Sequence, residues 1–102
     1  MKIEAKNRLV MSKASIAARR ATDRPEHYSW VWVIPLKSGK FRVAAIEVPK
    51  HFVDDDACFF EDDMITPYVK IVDEIGDVDG AAREAGVDPE LLDSPWHSGF
   101  PL

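Results

Sequence analysis

The chain has 102 residues, 13 basic and 18 acidic side chains, a formal net charge of −5 and 46% apolar residues. Residues 1–102 therefore make a single domain with enough apolar side chain for one core, too hydrophobic and varied to be disordered, collagenous or coiled coil throughout. With no run of about eighteen uncharged apolar residues, no apolar leader and a lone cysteine, Cys58, the expectation is a cytoplasmic protein with no membrane attachment and no internal disulfide.

In residues 2–11, Ile3, Ala5, Leu9 and Met11 share one register while Lys2, Glu4, Lys6 and Arg8 take the other, an alternation that predicts a half-buried strand. Residues 13–21 are Ala-rich, free of Gly and Pro, and preceded by Ser12 as an N-cap, which predicts a short helix ended by Pro25. A single longer helix from about residue 2 is the alternative.

Residues 28–36 and 41–48 are β-branched and aromatic and flank Lys37-Ser38-Gly39-Lys40, a β-hairpin pattern. Pro35 lacks the amide that a two-residue turn would require it to donate, so a four-residue loop over 37–40 is preferred. Partners whose numbers sum to 77 then place Trp30, Trp32, Ile34 and Leu36 with Phe41, Val43, Ala45 and Glu47. Both faces of such a hairpin are largely apolar, so each needs cover.

Pro49 ends the second strand. From 64 to 75, Met64, Tyr68, Ile71, Val72 and Ile75 recur at helical spacing, which predicts a helix closed by Gly76, with a strand over 68–72 as the competitor. Asp79 then caps a helix running to Ala85, Gly86 suits its left-handed C-terminal position, and Asp88-Pro89 opens one more turn. The tail from 94 to 102 carries two large aromatics and is expected to pack back. The fold class is α+β: a small antiparallel sheet centred on the 28–48 hairpin, packed with short helices.

Catalytic signals are sparse. Cys58 has no nucleophile motif around it, and His27, His51 and His97 lack the companion spacing of a zinc site. Asp77-Val78-Asp79-Gly80 resembles part of an EF-hand loop, but aligning Gly80 puts Ile75 and Gly86 where an Asp and a bidentate Glu belong. No glycine-rich phosphate loop occurs. No catalytic residue, metal or cofactor is expected. Residues 81–92 resemble a helix-turn-helix, yet the segment in the recognition position carries Asp88 and Glu90 and no Lys or Arg, so it reads as a helix–helix corner.

The charge is lopsided along the chain. Residues 1–53 hold eleven basic and four acidic side chains, a net +7; residues 54–102 hold two and fourteen, a net −12. The densest stretch is residues 54–63, in which six of ten residues are acidic and none is basic. Asp54, Asp55, Asp56, Glu61, Asp62 and Asp63 in a row can imitate a phosphate backbone, and Phe59 and Phe60 add apolar contact area. The expected function is therefore a non-catalytic inhibitor or immunity-type protein whose acidic surface fills the cleft of a basic partner such as a nuclease or polymerase. Two alternatives stand beside it: direct nucleic-acid binding through the basic N-terminal half, with Lys2, Lys6, Arg8, Lys13, Arg19, Arg20 and Arg24, and head-to-tail self-assembly into a homo-oligomer.

Overall fold

The chain begins with a helix where alternation predicted a strand. In the computed structural model, which describes residues 1–55 and 63–101, α1 spans Ile3–Val10 and buries Ala5 and Leu9. These lie four apart on one helical face, while Ile3 and Met11, which the strand reading turned inward, are exposed.

The next segment is reversed in the same way. Ile16–Arg20 forms β1, not a helix, and its first three residues are all buried. Ile16 and Ala18 face one apolar cluster and Ala17 faces the other. Burial on both faces of the sheet is a tertiary effect, and here it overrides the intrinsic helix preference of alanine.

The hairpin forms as expected, from β2 (His27–Pro35) and β3 (Phe41–Pro49), but with partners summing to 76: Trp30 opposes Ile46, Trp32 opposes Ala44 and Pro35 opposes Phe41. The turn sets this register. Gly39 N–H donates to Leu36 O at 3.0 Å, Leu36 N–H donates to Lys40 O at 2.8 Å, and Gly39 has φ +88°. This is a three-residue loop closed by a left-handed glycine bulge, so the expected four-residue loop and its faces are corrected by one position. Trp30, Trp32 and Ile34 share a face with Ala44, Ile46 and Val48, while Val31 and Val33 share the other with Phe41, Val43 and Ala45. Pro35 lies two residues beyond Val33, the last β2 residue with a β1 partner, so its missing amide leaves no β1 carbonyl unpaired.

Residues 65–72 take the competing strand reading. Ile65–Val72 is β4, paired to β3 with an irregularity between Ala45 and Glu47 beside Pro67. The helix follows it: α3 spans Ile75–Ala85 and contains Gly76 near its start and Asp79 inside it, so neither closes nor caps an element as predicted. Gly86 does terminate α3 at φ +108°, and the Asp88 side chain accepts from Glu90 N–H to open a 3-10 turn at Pro89–Leu91. That single turn, in place of a recognition helix, leaves a corner.

The result is a four-stranded antiparallel meander in the order β1-β2-β3-β4, an α+β fold. One face is covered by α1 and α3 through Leu9, Val78, Ala81, Ala82 and Ala85. The other is covered by the tail and by the short helix α2 (Lys50–Asp54), through Phe100, Phe52 and Val53. The tail thus packs back as expected: Phe100 meets Trp30 at 5.7 Å and Trp32 at 5.1 Å between ring centroids, and Trp30 Nε1 donates to Ser98 O at 2.9 Å. Residue 93 also shields the β1 edge, where Ala17 and Asp93 exchange backbone hydrogen bonds at 2.9 and 3.1 Å.

Candidate functional site

The described residues of the acidic stretch are Asp54, which ends α2, Asp55, which follows it, and Asp63, two residues before β4. Asp54 and Asp55 are exposed and Asp63 is half-buried. Tyr28 Oη donates to Asp54 Oδ1 at 2.8 Å, and that bond holds the Tyr28 phenol above its usual pKa. Asp56, Phe59, Phe60, Glu61 and Asp62, as well as Cys58, lie outside the described residues.

Beside Asp54 is a surface that the sequence reading had not assembled. The exposed Arg19 guanidinium sits 4.4 Å from the Tyr28 ring centroid and 5.2 Å from that of Trp30, and Lys50 Nζ is 5.5 Å from Tyr28. Strand alternation explains the grouping: Arg19 pairs with Trp30, and Tyr28 pairs with Val48 two residues before Lys50. Arg19, Tyr28 and Lys50, with His27, Arg20 and Thr22, line a shallow groove. The two hairpin tryptophans belong to the core cluster on that face. Trp30 is fully buried and Trp32 is half-buried against Phe100, whereas Trp96 is 65% exposed with the Arg8 guanidinium 4.8 Å from its ring centroid.

Among the described residues, Glu47 is the acidic side chain that lies buried, 5% exposed. Arg24 Nε lies 2.6 Å from Oε2, while Oε1 accepts from Thr22 Oγ1 at 2.6 Å and from Arg20 Nη1 at 3.3 Å. Arg20 also donates through Nε to Ala85 O at 2.6 Å, placing a cation at the C-terminal end of α3. One carboxylate thus clamps the β1–β2 connection and one guanidinium ties α3 to the sheet. The sequence signal existed: a lone Glu within an apolar strand, preceded by Arg19, Arg20 and Arg24.

Several cations of the first half are engaged by acids of the second. Lys2 Nζ is 2.7 Å from Asp93 Oδ2 and Lys40 Nζ is 3.3 Å from Asp73 Oδ1. Lys2, the Ser94 amide and His97 together hold the Asp93 carboxyl far below the usual carboxylate range. The charge partition along the chain is therefore partly cancelled in space, at α1 and at the hairpin turn.

The histidines take local partners. His27 Nδ1 is 3.0 Å from Pro25 O, His51 lies against Phe52, and His97 Nδ1 is 3.1 Å from Asp93 Oδ2. Among the described residues, no group of three or more His, Cys, Asp or Glu is placed to hold a metal ion, and no helix is long and apolar enough to cross a membrane. Comparison with protein-family models, with curated proteins and with solved structures gives no match to this chain.

Proposed function

We propose that this is a non-catalytic binding protein that presents residues 54–63 to a cationic cleft of a nucleic-acid-processing enzyme, such as a nuclease or polymerase. The observation that carries the reading is the placement of the described ends: Asp54 and Asp55 lie exposed at the end of a helix packed on the sheet, and Asp63 adjoins β4. Anchored carboxylates lose less freedom on binding than those of a loose tail, so more of their attraction to a cationic surface is retained. The Tyr28 hydroxyl holds Asp54 through a 2.8 Å hydrogen bond to Oδ1.

The test is a panel of basic nucleases and polymerases assayed for inhibition by the chain, followed by reversal to lysine at 54, 55, 56, 61, 62 and 63. Inhibition should fall at least tenfold on reversal and weaken as salt rises; a partner inhibited equally by the reversed protein refutes the reading. A second reading, direct nucleic-acid binding, is favoured by the Arg19–Tyr28–Lys50 surface. It predicts a salt-sensitive mobility shift with single-stranded DNA or RNA that Arg19→Glu abolishes.

A further inference from the structure

Between the end of α1 and the β2–β3 turn, the surface opens into an apolar pocket of about 310 Å³. Leu9 and Phe41, both buried, line it with Val10, Pro35 and Leu36, and its remaining side chains are Lys13, Lys37 and Lys40, with no carboxylate among them. The volume is at the lower end of the range for small-molecule sites, and the composition follows their rule of an apolar body with a few polar groups of one kind.

A second observation points the same way. Lys13 holds the left-handed conformation, at φ +52°, just after α1. Glycine or asparagine fits that position with the least strain, yet the chain places there a long cationic side chain that lines the pocket. Lys40 is shared with Asp73 at 3.3 Å, but both side chains are more than half exposed, so the pair yields readily to another anion.

We propose that this pocket binds a small single-headed organic anion, with its aliphatic or aryl body against Leu9, Leu36 and Phe41 and its head group at the Lys13 and Lys37 ammonium groups. The apolar lining rewards a body of roughly six to ten carbons, and the lysines distinguish an anion from an alcohol or amine of the same length. Carboxylate and phosphate monoester heads share this chemistry, and both are tested.

The experiment follows the amide NMR spectrum of the full chain during titration with octanoate, octyl phosphate, octanol and octylamine, all below micelle formation. Saturable shifts at Leu9, Val10, Leu36, Gly39 and Phe41 are expected with one or both anions, at least tenfold tighter than with octanol and absent with octylamine. The ratio of octanoate to octyl phosphate affinity identifies the head group. Lys37→Ser lies in an exposed turn and does not threaten folding; with Lys13→Gly, which relaxes the backbone, it should weaken anion binding at least tenfold with the spectrum otherwise unchanged. Equal affinity for octanol, shifts scattered away from the pocket, or unchanged affinity in the double variant overturns the proposal. So does concentration-dependent shifting of the same amides without ligand, which would assign the pocket to a second copy of the chain.

Discussion

Glu47→Ala puts the clamp at the β1–β2 connection to its sharpest test. The carboxylate is 5% exposed and touches Arg20, Arg24 and Thr22. Removing one partner of a buried ion pair costs about 3–5 kcal/mol when the other charge is left uncompensated. Here the remaining cations are not trapped. Arg24 is 53% exposed and turns to water, whereas Arg20, at 21%, keeps Ala85 O and Ser29 Oγ as acceptors. The expected loss is therefore about 2–3 kcal/mol, below the full buried-pair value because both guanidinium groups retain some solvation. Glu47→Gln keeps the shape and the contact with Thr22 and should cost about half as much. Urea unfolding followed by tryptophan fluorescence reads both, since Trp30 and Trp32 lie in the adjacent strand; the midpoint should fall with an unchanged slope. A double-mutant cycle with Arg24→Ala and Arg20→Ala should assign more of the coupling to Arg20, the less exposed partner. A Glu47→Ala loss under about 0.5 kcal/mol would show that the clamp contributes little and that the turn is held by its backbone alone.

Phe100→Ala should destabilise the protein by about 3 kcal/mol, from the emptied space against Trp30 and Trp32, and should shift tryptophan emission in the native state; an unaltered native spectrum would mean the tail does not cover that face. Lys13→Gly should raise stability by about 0.5–1 kcal/mol, because relief of the left-handed strain exceeds the entropy that glycine adds to the unfolded chain, and a lower melting temperature would contradict this. Asp93 has a folded pKa depressed chiefly by Lys2, then by the Ser94 amide and His97, so its contribution is full above the unfolded carboxylate range and is lost as pH falls toward the folded value. Asp93→Asn should therefore flatten the decline of stability below about pH 5, and an unchanged acid profile would place the sensitivity elsewhere.

The hairpin was legible because its signal is local: β-branched and aromatic runs on either side of a Ser-Gly turn. Its register was not, since 77 and 76 differ only in whether Gly39 sits inside a four-residue loop or adopts φ +88° as a bulge. Residues 2–20 misled for a different reason. Alternation of Ile3, Ala5, Leu9 and Met11 fits a strand only if all four are buried, and the tertiary environment buries just Ala5 and Leu9. Alanines 17 and 18 are buried on opposite faces of the sheet, an environment decided by α3 and the tail, far away in sequence. The candidate surfaces follow the same division. The acidic stretch is written consecutively, whereas the grouping of Arg19 with Tyr28 and Lys50, and of Lys13 with Lys37, depends on strand pairing and helix placement.

That placement also decides whether the charged regions act separately. Lys13, Lys37 and Lys40 gather at the turn end of the hairpin, while Asp54 ends α2 and Asp55 follows it at the other end. Phe41 and Pro49 mark the two ends of β3, eight residue steps or about 26 Å apart. This exceeds the screening length of about 8 Å at physiological ionic strength, so neither field is felt strongly at the other. Internal pairing removes Lys2 into Asp93 and draws Lys40 toward Asp73, but it leaves Asp54 with a hydroxyl donor and Lys13 and Lys37 on the pocket. A ligand at the lysine pocket and a cationic partner on residues 54–63 should then bind without coupling. Saturating octanoate should leave the affinity for an inhibited nuclease within about twofold, since a larger change requires a linkage of more than about 0.4 kcal/mol carried through the β-sheet. Strong coupling would mean that the two ends communicate through backbone movement, and the separation of charges along the strand would cease to explain how the surfaces work.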